Sequence, residues 1–251
     1  MSMKTPSKTE IVIPGKIIMN AEEKARRLAL KRAPRPRIAS TIVLLKGPKD
    51  KPKILMGQRS SKNDFMPSVF VFPGGRVERA DSYAPYIGDL SPRTETILEA
   101  AYNPRKARAI VLASIRETFE ETSLILGQPQ DTIRNMKNAG WQALHDQGQI
   151  ADLSGIEVFG RAVTPPHRHR RYDTWFFVKH LTGTPPPISD SAELSNVDWF
   201  SFDEIGKLDL QRATKMMLQV LEQYLALPSA PPRIFHSYQR GKTYFYKEFP
   251  A

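Results

Sequence analysis

A chain of 251 residues with 40% hydrophobic and 9% aromatic content is long enough to bury a substantial core and ordinary enough in composition to be globular. No apolar run nears the roughly 20 residues that a bilayer span requires, and the N-terminus lacks the apolar stretch of a secretory signal, so no membrane span and a cytoplasmic location are expected. Cysteine is absent, which excludes disulfides, thiolate catalysis and Cys-bound zinc.

The formal charge of +11 is unevenly placed. Residues 1–37 hold ten Lys and Arg against three Glu, and Asn20 with Glu23 has capping-box spacing ahead of the basic run Lys24–Arg32. This is read as a basic extension, flexible or docked on a partner, with nucleic-acid or anionic-membrane contact as the alternative. Ile38–Leu45 and Lys53–Arg59 follow as two strands joined by Gly47-Pro48-Lys49-Asp50, a hairpin signal. Val69–Phe72 is strand-like and ends at Pro73-Gly74-Gly75, where the backbone is free to approach a ligand closely, so Gly74 and Gly75 are substrate-binding candidates.

An insertion-like stretch near 82–102 carries Tyr83, Tyr86 and Tyr102 among Pro and Gly, and a loop of this length is either functional, as a substrate lid or a homodimer contact, or disordered. Asn103-Pro104 then supplies an N-cap and first residue for a helix over 104–124, anchored by the apolar run Ala109–Ala113. Residues 131–144 are helical in pattern, interrupted at Gly140-Trp141. The run Thr164–Arg171 is densely basic, and Arg170 and Arg171 are candidates to bind a phosphate-rich substrate, against the reading of a salt-screened, solvated loop. His167 and His169 form an H-x-H pair without further ligands. Tyr172–Leu181 and Val197–Phe200 alternate like strands, Asp209–Leu225 is an amphipathic helix, and the tail contains strand-like Tyr244-Phe245-Tyr246.

The chemistry concentrates at Arg116–Glu121. On a helix Glu117, Glu120 and Glu121 stand at i, i+3 and i+4 and share a face, so three like charges repel unless a cation neutralises them. Hard carboxylate oxygens suit Mg²⁺ or Mn²⁺. Arg116 reaches Glu120 at i+4 and can fix its angle. A solvated acidic face is the alternative, since such clusters are common on surface helices. The anchored helix and the Pro-Gly-Gly turn favour a metal site for phosphate chemistry.

Phe72-Pro73-Gly74-Gly75-Arg76 and Arg116-Glu117-Thr118-Phe119-Glu120-Glu121 together resemble the Nudix hydrolase signature, GX5EX7REUXEEXGU with U apolar. Asp81 stands where the pattern has its first Glu, Thr118 and Ser123 replace an apolar residue and a Gly, and an insertion separates the halves. Such a split box is similar to the branch that includes peroxisomal CoA diphosphatases and bacterial relatives. The resemblance implies an α+β fold, a Nudix-type α/β/α sandwich with a mixed central sheet over 38–227, with the insertion near 82–102. The basic extension 1–37 would precede it, and a tail, 228–251, would pack on the domain or a partner chain.

The resemblance further implies metal-dependent hydrolysis of the diphosphate linkage of a nucleotide-type small molecule. CoA or acyl-CoA is favoured, because Arg59-Ser60-Ser61 matches the start of the family's CoA motif, although Phe65 and Val69 occupy the neighbourhood of its second Arg and its Gly. Metal ligands would be Glu117, Glu120 and Glu121, held with help from Arg116, and Glu120 or Glu117 would serve as base, with Glu193, six residues before Trp199, as the alternative base or added ligand. Arg59 would lie near the phosphates, with structural pairing to a carboxylate as the alternative. A catalytically weak nucleotide sensor and an RNA-cap or nucleic-acid-associated hydrolase are the competing functions.

Overall fold

The computed structural model describes residues 34–60, 68–131, 135–164 and 170–226, together with the backbone of 234–240 and 243–249. The basic extension to residue 33 and the His167–His169 pair lie outside the described residues.

The first two strands form as their patterns predict: β1 (Arg37–Lys46) and β2 (Lys53–Arg59) pair antiparallel, with Leu45 opposite Ile54. Two short strands follow, β3 (Phe70–Val71) against β2 and β4 (Gly74–Arg76) against β1. A 3-10 turn at Ala80–Ser82 leads to β5 (Tyr86–Ile87), α1 (Pro92–Glu99) and the long α2 (Pro104–Thr122). Next come β6 (Gly127–Pro129), α3 (Ala139–Asp146), β7 (Gln149–Asp152), β8 (Glu157–Val163), β9 (Tyr172–His180) and β10 (Leu194–Phe200). The chain continues through α4 (Phe202–Ile205), α5 (Arg212–Ala226) and the hairpin β11 (Ile234–Arg240) and β12 (Thr243–Phe249).

The main sheet has the order β10-β2-β1-β9-β8-β11-β12 and is mixed, since β1 runs parallel to β9 and β11 parallel to β8. Its central strands are apolar on both sides. Ile42 and Leu44 face one core with Ile110, Trp141 and Phe177, while Val43 and Leu45 face a second with Phe159, Met217 and Leu221. A strand buried on both faces needs helices above and below. α2 and α3 supply one layer and α5 the other, which is the expected α/β/α sandwich. The C-terminal hairpin joins this sheet through β8, so its backbone pairs with the domain.

Three local readings differ from the sequence pattern. The insertion is woven into the core rather than carried as a separate loop: Ala84, Leu90 and Leu98 are buried, and β5 pairs with β7 in a small β5-β7-β6 sheet. Only Tyr83, Tyr86 and Ile87 remain exposed as large hydrophobic side chains among the described residues. Gly140-Trp141 opens α3 rather than interrupting a helix, because Asn138 caps it by accepting from the Trp141 N–H at 2.9 Å. Ser123 takes the left-handed conformation at the end of α2 (φ 58°), and its N–H donates to the Phe119 carbonyl, so serine serves where glycine is favoured.

Among the described residues no helix is long and apolar enough to cross a membrane. Phe177 is fully buried on the central β9. Phe177→Ala is therefore expected to cost about 3–5 kcal/mol, seen as a lower urea midpoint with an unchanged m-value.

Candidate functional site

The site is built where α2 crosses the β4 end of the sheet. Asn103 caps α2 as its sequence predicts, accepting from the Lys106 N–H at 2.9 Å, and the apolar positions of the helix fix its rotation against β1. That rotation places Arg116 inward, 2% exposed, beside a fully buried Asp81. The guanidinium makes five hydrogen bonds. Nε donates to Asp81 Oδ1 at 2.8 Å, and Nη2 to Asp81 Oδ2 at 3.2 Å and to the Arg76 carbonyl at 2.9 Å. Nη1 donates to Glu117 at 2.8 Å and to Glu120 at 2.9 Å.

The predicted i+4 contact to Glu120 is present, but Asp81 is the partner that sequence reasoning missed. It is held by the Trp141 indole N–H at 2.9 Å and the Glu78 backbone N–H at 2.6 Å. Its signal was its position six residues after Gly75, which reads as a mismatch only while the residue is expected to be Glu. The shorter acid fits because Trp141 fills the space beside it. Burial disfavours the Arg116 cation, yet the hydrogen bond to Asp81 and the charges of Glu117, Asp81 and Glu120 prevail and raise its pKa.

The three glutamates divide in direction. Glu121 is 5% exposed and accepts from the Gly74 N–H at 2.8 Å. The Glu117 carboxylate lies against Gly75 so closely that a Cβ there would collide with it. Glu120 is turned towards α3, where a Cβ on Gly140 would collide with its carboxylate. A side chain at 75 or 140 would therefore displace the carboxylate of Glu117 or Glu120 from its present position. Among the described residues, each glutamate keeps one oxygen outside these hydrogen bonds, and no group of three or more acidic or His side chains is placed to hold a metal ion.

Arg59 and Glu193, far apart in sequence, come together because β2 and β10 pair with Arg59 opposite Leu194. The Ser60 N–H also donates to the Glu193 carbonyl at 3.0 Å. The negative charge of Glu193 acts on both Glu117 and Glu121, and the positive charge of Arg59 acts on Glu121. Arg59 Nε is buried with no hydrogen-bond partner among the described residues.

Arg171 is engaged elsewhere, donating to the carbonyls of Thr164 at 3.0 Å and Pro34 at 2.6 Å, where it fastens the start of β1. Its neighbour Arg170 is exposed beside it. The hydrogen bonds of Arg171 therefore assign it a bracing role rather than a place among the carboxylates.

Burial dominates the titration of the cluster. It raises Glu121 well above the usual carboxylate range and pushes Glu117 up to about 7, with Arg116 opposing and Glu120 and Glu193 adding repulsion. Glu120 is raised as well, chiefly by burial and against Arg116. Such negative charge, packed and only partly compensated, fits a hard divalent cation through all-oxygen donors.

Fold and site define a class: this is the Nudix fold. No family model matches the chain. The structure resembles a Nudix hydrolase from Alicyclobacillus acidocaldarius with a TM-score of 0.56 at 22% identity, covering 76% of this chain and 96% of that one. In sequence it is similar to the acyl-coenzyme A diphosphatase of Gallus gallus, 28% identical over 59% of this chain and 54% of the relative. It is also similar to the putative nudix hydrolase 7 of Caenorhabditis elegans, 25% identical over 59% of this chain and 46% of the relative. The chain spans about half the length of the curated relatives it matches.

Asp81→Asn leaves the buried Arg116 short of its main counter-charge and is expected to destabilise the protein by about 3–5 kcal/mol, measured by chemical denaturation. A folded-state pKa of about 7 for Glu117, above its unfolded value of 4.5, adds stability below pH 4.5 that is lost as pH rises through 7. With a chelator present, the melting temperature should fall between pH 5 and 7.5, and Glu117→Gln should flatten that fall.

Proposed function

We propose that the chain is a Nudix-type diphosphatase that hydrolyses the diphosphate linkage of a nucleoside diphosphate derivative, with CoA or acyl-CoA the favoured substrate and Mg²⁺ or Mn²⁺ the cofactor. The observation that carries this reading is the carboxylate cluster of half-buried Glu117, exposed Glu120 and buried Glu121, with Glu117 and Glu120 bound by Arg116 and with Glu117 and Glu121 against the Gly74-Gly75 backbone. Glu117, Glu120 and Glu121 would hold the divalent cation, which when bound neutralises phosphate charge and acidifies water.

This chain's own groups do the rest. Arg116 holds one oxygen of Glu117 and one of Glu120, and the Gly74 N–H holds one of Glu121, which limits how far each carboxylate must turn to reach a shared cation. Arg59, whose positive charge acts on Glu121, binds phosphate oxygens and offsets the charge that grows on the leaving phosphate. A water oxygen attacks phosphorus, the bridging P–O bond breaks, and two phosphorylated products leave. Glu193, exposed on its loop yet close enough to feel Glu117 and Glu121, takes the water proton. Arg116 already occupies one oxygen of both Glu117 and Glu120, which suits them to holding the cation rather than to moving protons.

CoA is placed first on the sequence likeness to the acyl-coenzyme A diphosphatases of Gallus gallus and Xenopus laevis. A screen of CoA, acyl-CoA, ADP-ribose, NADH and dinucleoside polyphosphates with Mg²⁺ or Mn²⁺, read by mass spectrometry, tests activity and substrate together. Turnover of none of them by the folded protein would sink the proposal. Glu120→Gln and Glu121→Gln should each lower kcat at least about 100-fold and weaken metal binding. Glu193→Gln should lower kcat by about 10²–10⁴ with metal affinity unchanged, and full activity in that variant would remove Glu193 from the proton transfer.

A further inference from the structure

Three non-glycine residues among those described hold a positive φ: Ser68 at 62°, Ser123 at 58° and Asn196 at 50°. That conformation costs an L-residue energy and persists only where the surroundings hold it. All three gather at the corner where β2, β10 and the end of α2 meet. Ser68 and Asn196 are hydrogen-bonded to Gln58 on β2, and Ser123 bonds to the loop that leads into β10.

Asn196 sits in a β-bulge. Ser195 is opposite Gln58 and Asp198 is opposite Met56, so Asn196 and Val197 together face the single residue Gly57. The extra residue sets the register of what precedes it. With the bulge, Leu194 pairs with Arg59 and the Glu193 carbonyl accepts from the Ser60 N–H at 3.0 Å. Without it, this end of β10 would slip by one position along β2 and its side chains would exchange faces of the sheet, turning Glu193 from the carboxylates.

Gln58 grips the bulge from the partner strand. Its side-chain carbonyl accepts from Asn196 Nδ2 at 2.8 Å, and its Nε2 donates to the Ser68 carbonyl at 2.8 Å. One amide thus holds two of the three strained residues, with both of its ends used. The Gln58 backbone carbonyl also accepts from Ser195 Oγ at 3.3 Å. Within the loop, Asp190 accepts from the Asn196 and Val197 N–H groups at 3.1 and 2.9 Å. The loop is tied to α2 as well: the Ser189 N–H donates to the Thr122 carbonyl at 2.9 Å, and the Ser123 and Ser189 hydroxyls are 2.7 Å apart. Successive side chains of a strand point to opposite faces, so Gln58 lies on the face away from Arg59 and acts on the site only through what it holds.

We propose that Gln58 is a positioning residue for Glu193: its amide pins the β10 bulge to the turn before β3 and thereby fixes the register in which Glu193 is presented to the carboxylate cluster. The catalytic consequence rests on the diphosphatase reading, in which Glu193 takes the water proton. A carboxylate on an exposed loop needs such a hold, because a displacement of about 1 Å suffices to lower turnover about 100-fold. The strain at Ser68 and Asn196 is offset by the two bonds that Gln58 makes to them.

The test compares the full chain with its Gln58→Leu variant, in which a side chain of similar size makes neither bond. Without substrate, the Ser60, Asn196 and Val197 amides should exchange with deuterium at least about tenfold faster in the variant, while those of α2 keep their rates. With CoA and Mg²⁺, kcat should fall about 10- to 100-fold while KM changes by less than about threefold. In a Glu193→Gln background the same substitution should change kcat by less than about threefold, since the group it positions is already gone. Unchanged exchange at Ser60 overturns the proposal. So does a loss of kcat that is undiminished in the Glu193→Gln background, which would mark a merely structural residue. Absence of CoA turnover by the unmodified chain is instead a failure of the diphosphatase reading on this substrate, and the exchange rates, which need no substrate, still decide whether Gln58 holds the loop.

Discussion

Five N–H donors of one buried guanidinium hold this site together. Arg116 spends two on Asp81, one on the Arg76 carbonyl, and one each on Glu117 and Glu120, which exhausts what an arginine can donate. Removing a cation from water costs several kcal/mol, and a buried pair returns that cost only when every bond is made. The geometry is therefore strict. The turn after β4, the β4 backbone and α2 are tied to one group, and a lysine, a compact charge without the planar fork, could not bridge them.

The rest of the site is arranged around that tie. Trp141, reaching in from α3, supplies a second donor to Asp81 and a large apolar surface to the core, so one residue serves polar satisfaction and packing at once. The absence of side chains at Gly75 and Gly140 lets Glu117 and Glu120 lie against backbone. Negative charge is thereby crowded on one flank of β4 while Arg37, Arg76, Arg79 and Lys106 crowd positive charge on the other. Glu78 borders both, lining the basic cavity of those four cations while its charge acts on Glu120.

Much of this was legible in the sequence, and the limits have physical causes. The apolar runs of β1, β2 and β9, the Asn103 cap and the amphipathic α5 were readable because burial and capping are local properties of sequence. Arg116 to Glu120 was readable for the same reason, as an i+4 pair. Asp81 was not, because its role depends on Trp141, 60 residues later, which only tertiary packing brings near. The insertion was misread as a loop because Leu90 and Leu98 are too widely spaced to declare a buried face until α1 docks. Arg171 looked like a ligand-binding charge because composition cannot say that two backbone carbonyls already claim it.

The pairing of Arg59 with Leu194 and the parallel register of Arg37 with Tyr172 join segments more than a hundred residues apart. Contacts of such long sequence separation require large loops to close before they return any energy, which slows folding. The first of these pairings is also what brings Glu193 to Glu117 and Glu121. Their mutual repulsion is consequently a late event on the folding route, opposing the final closure of β10 onto β2 rather than the collapse that precedes it.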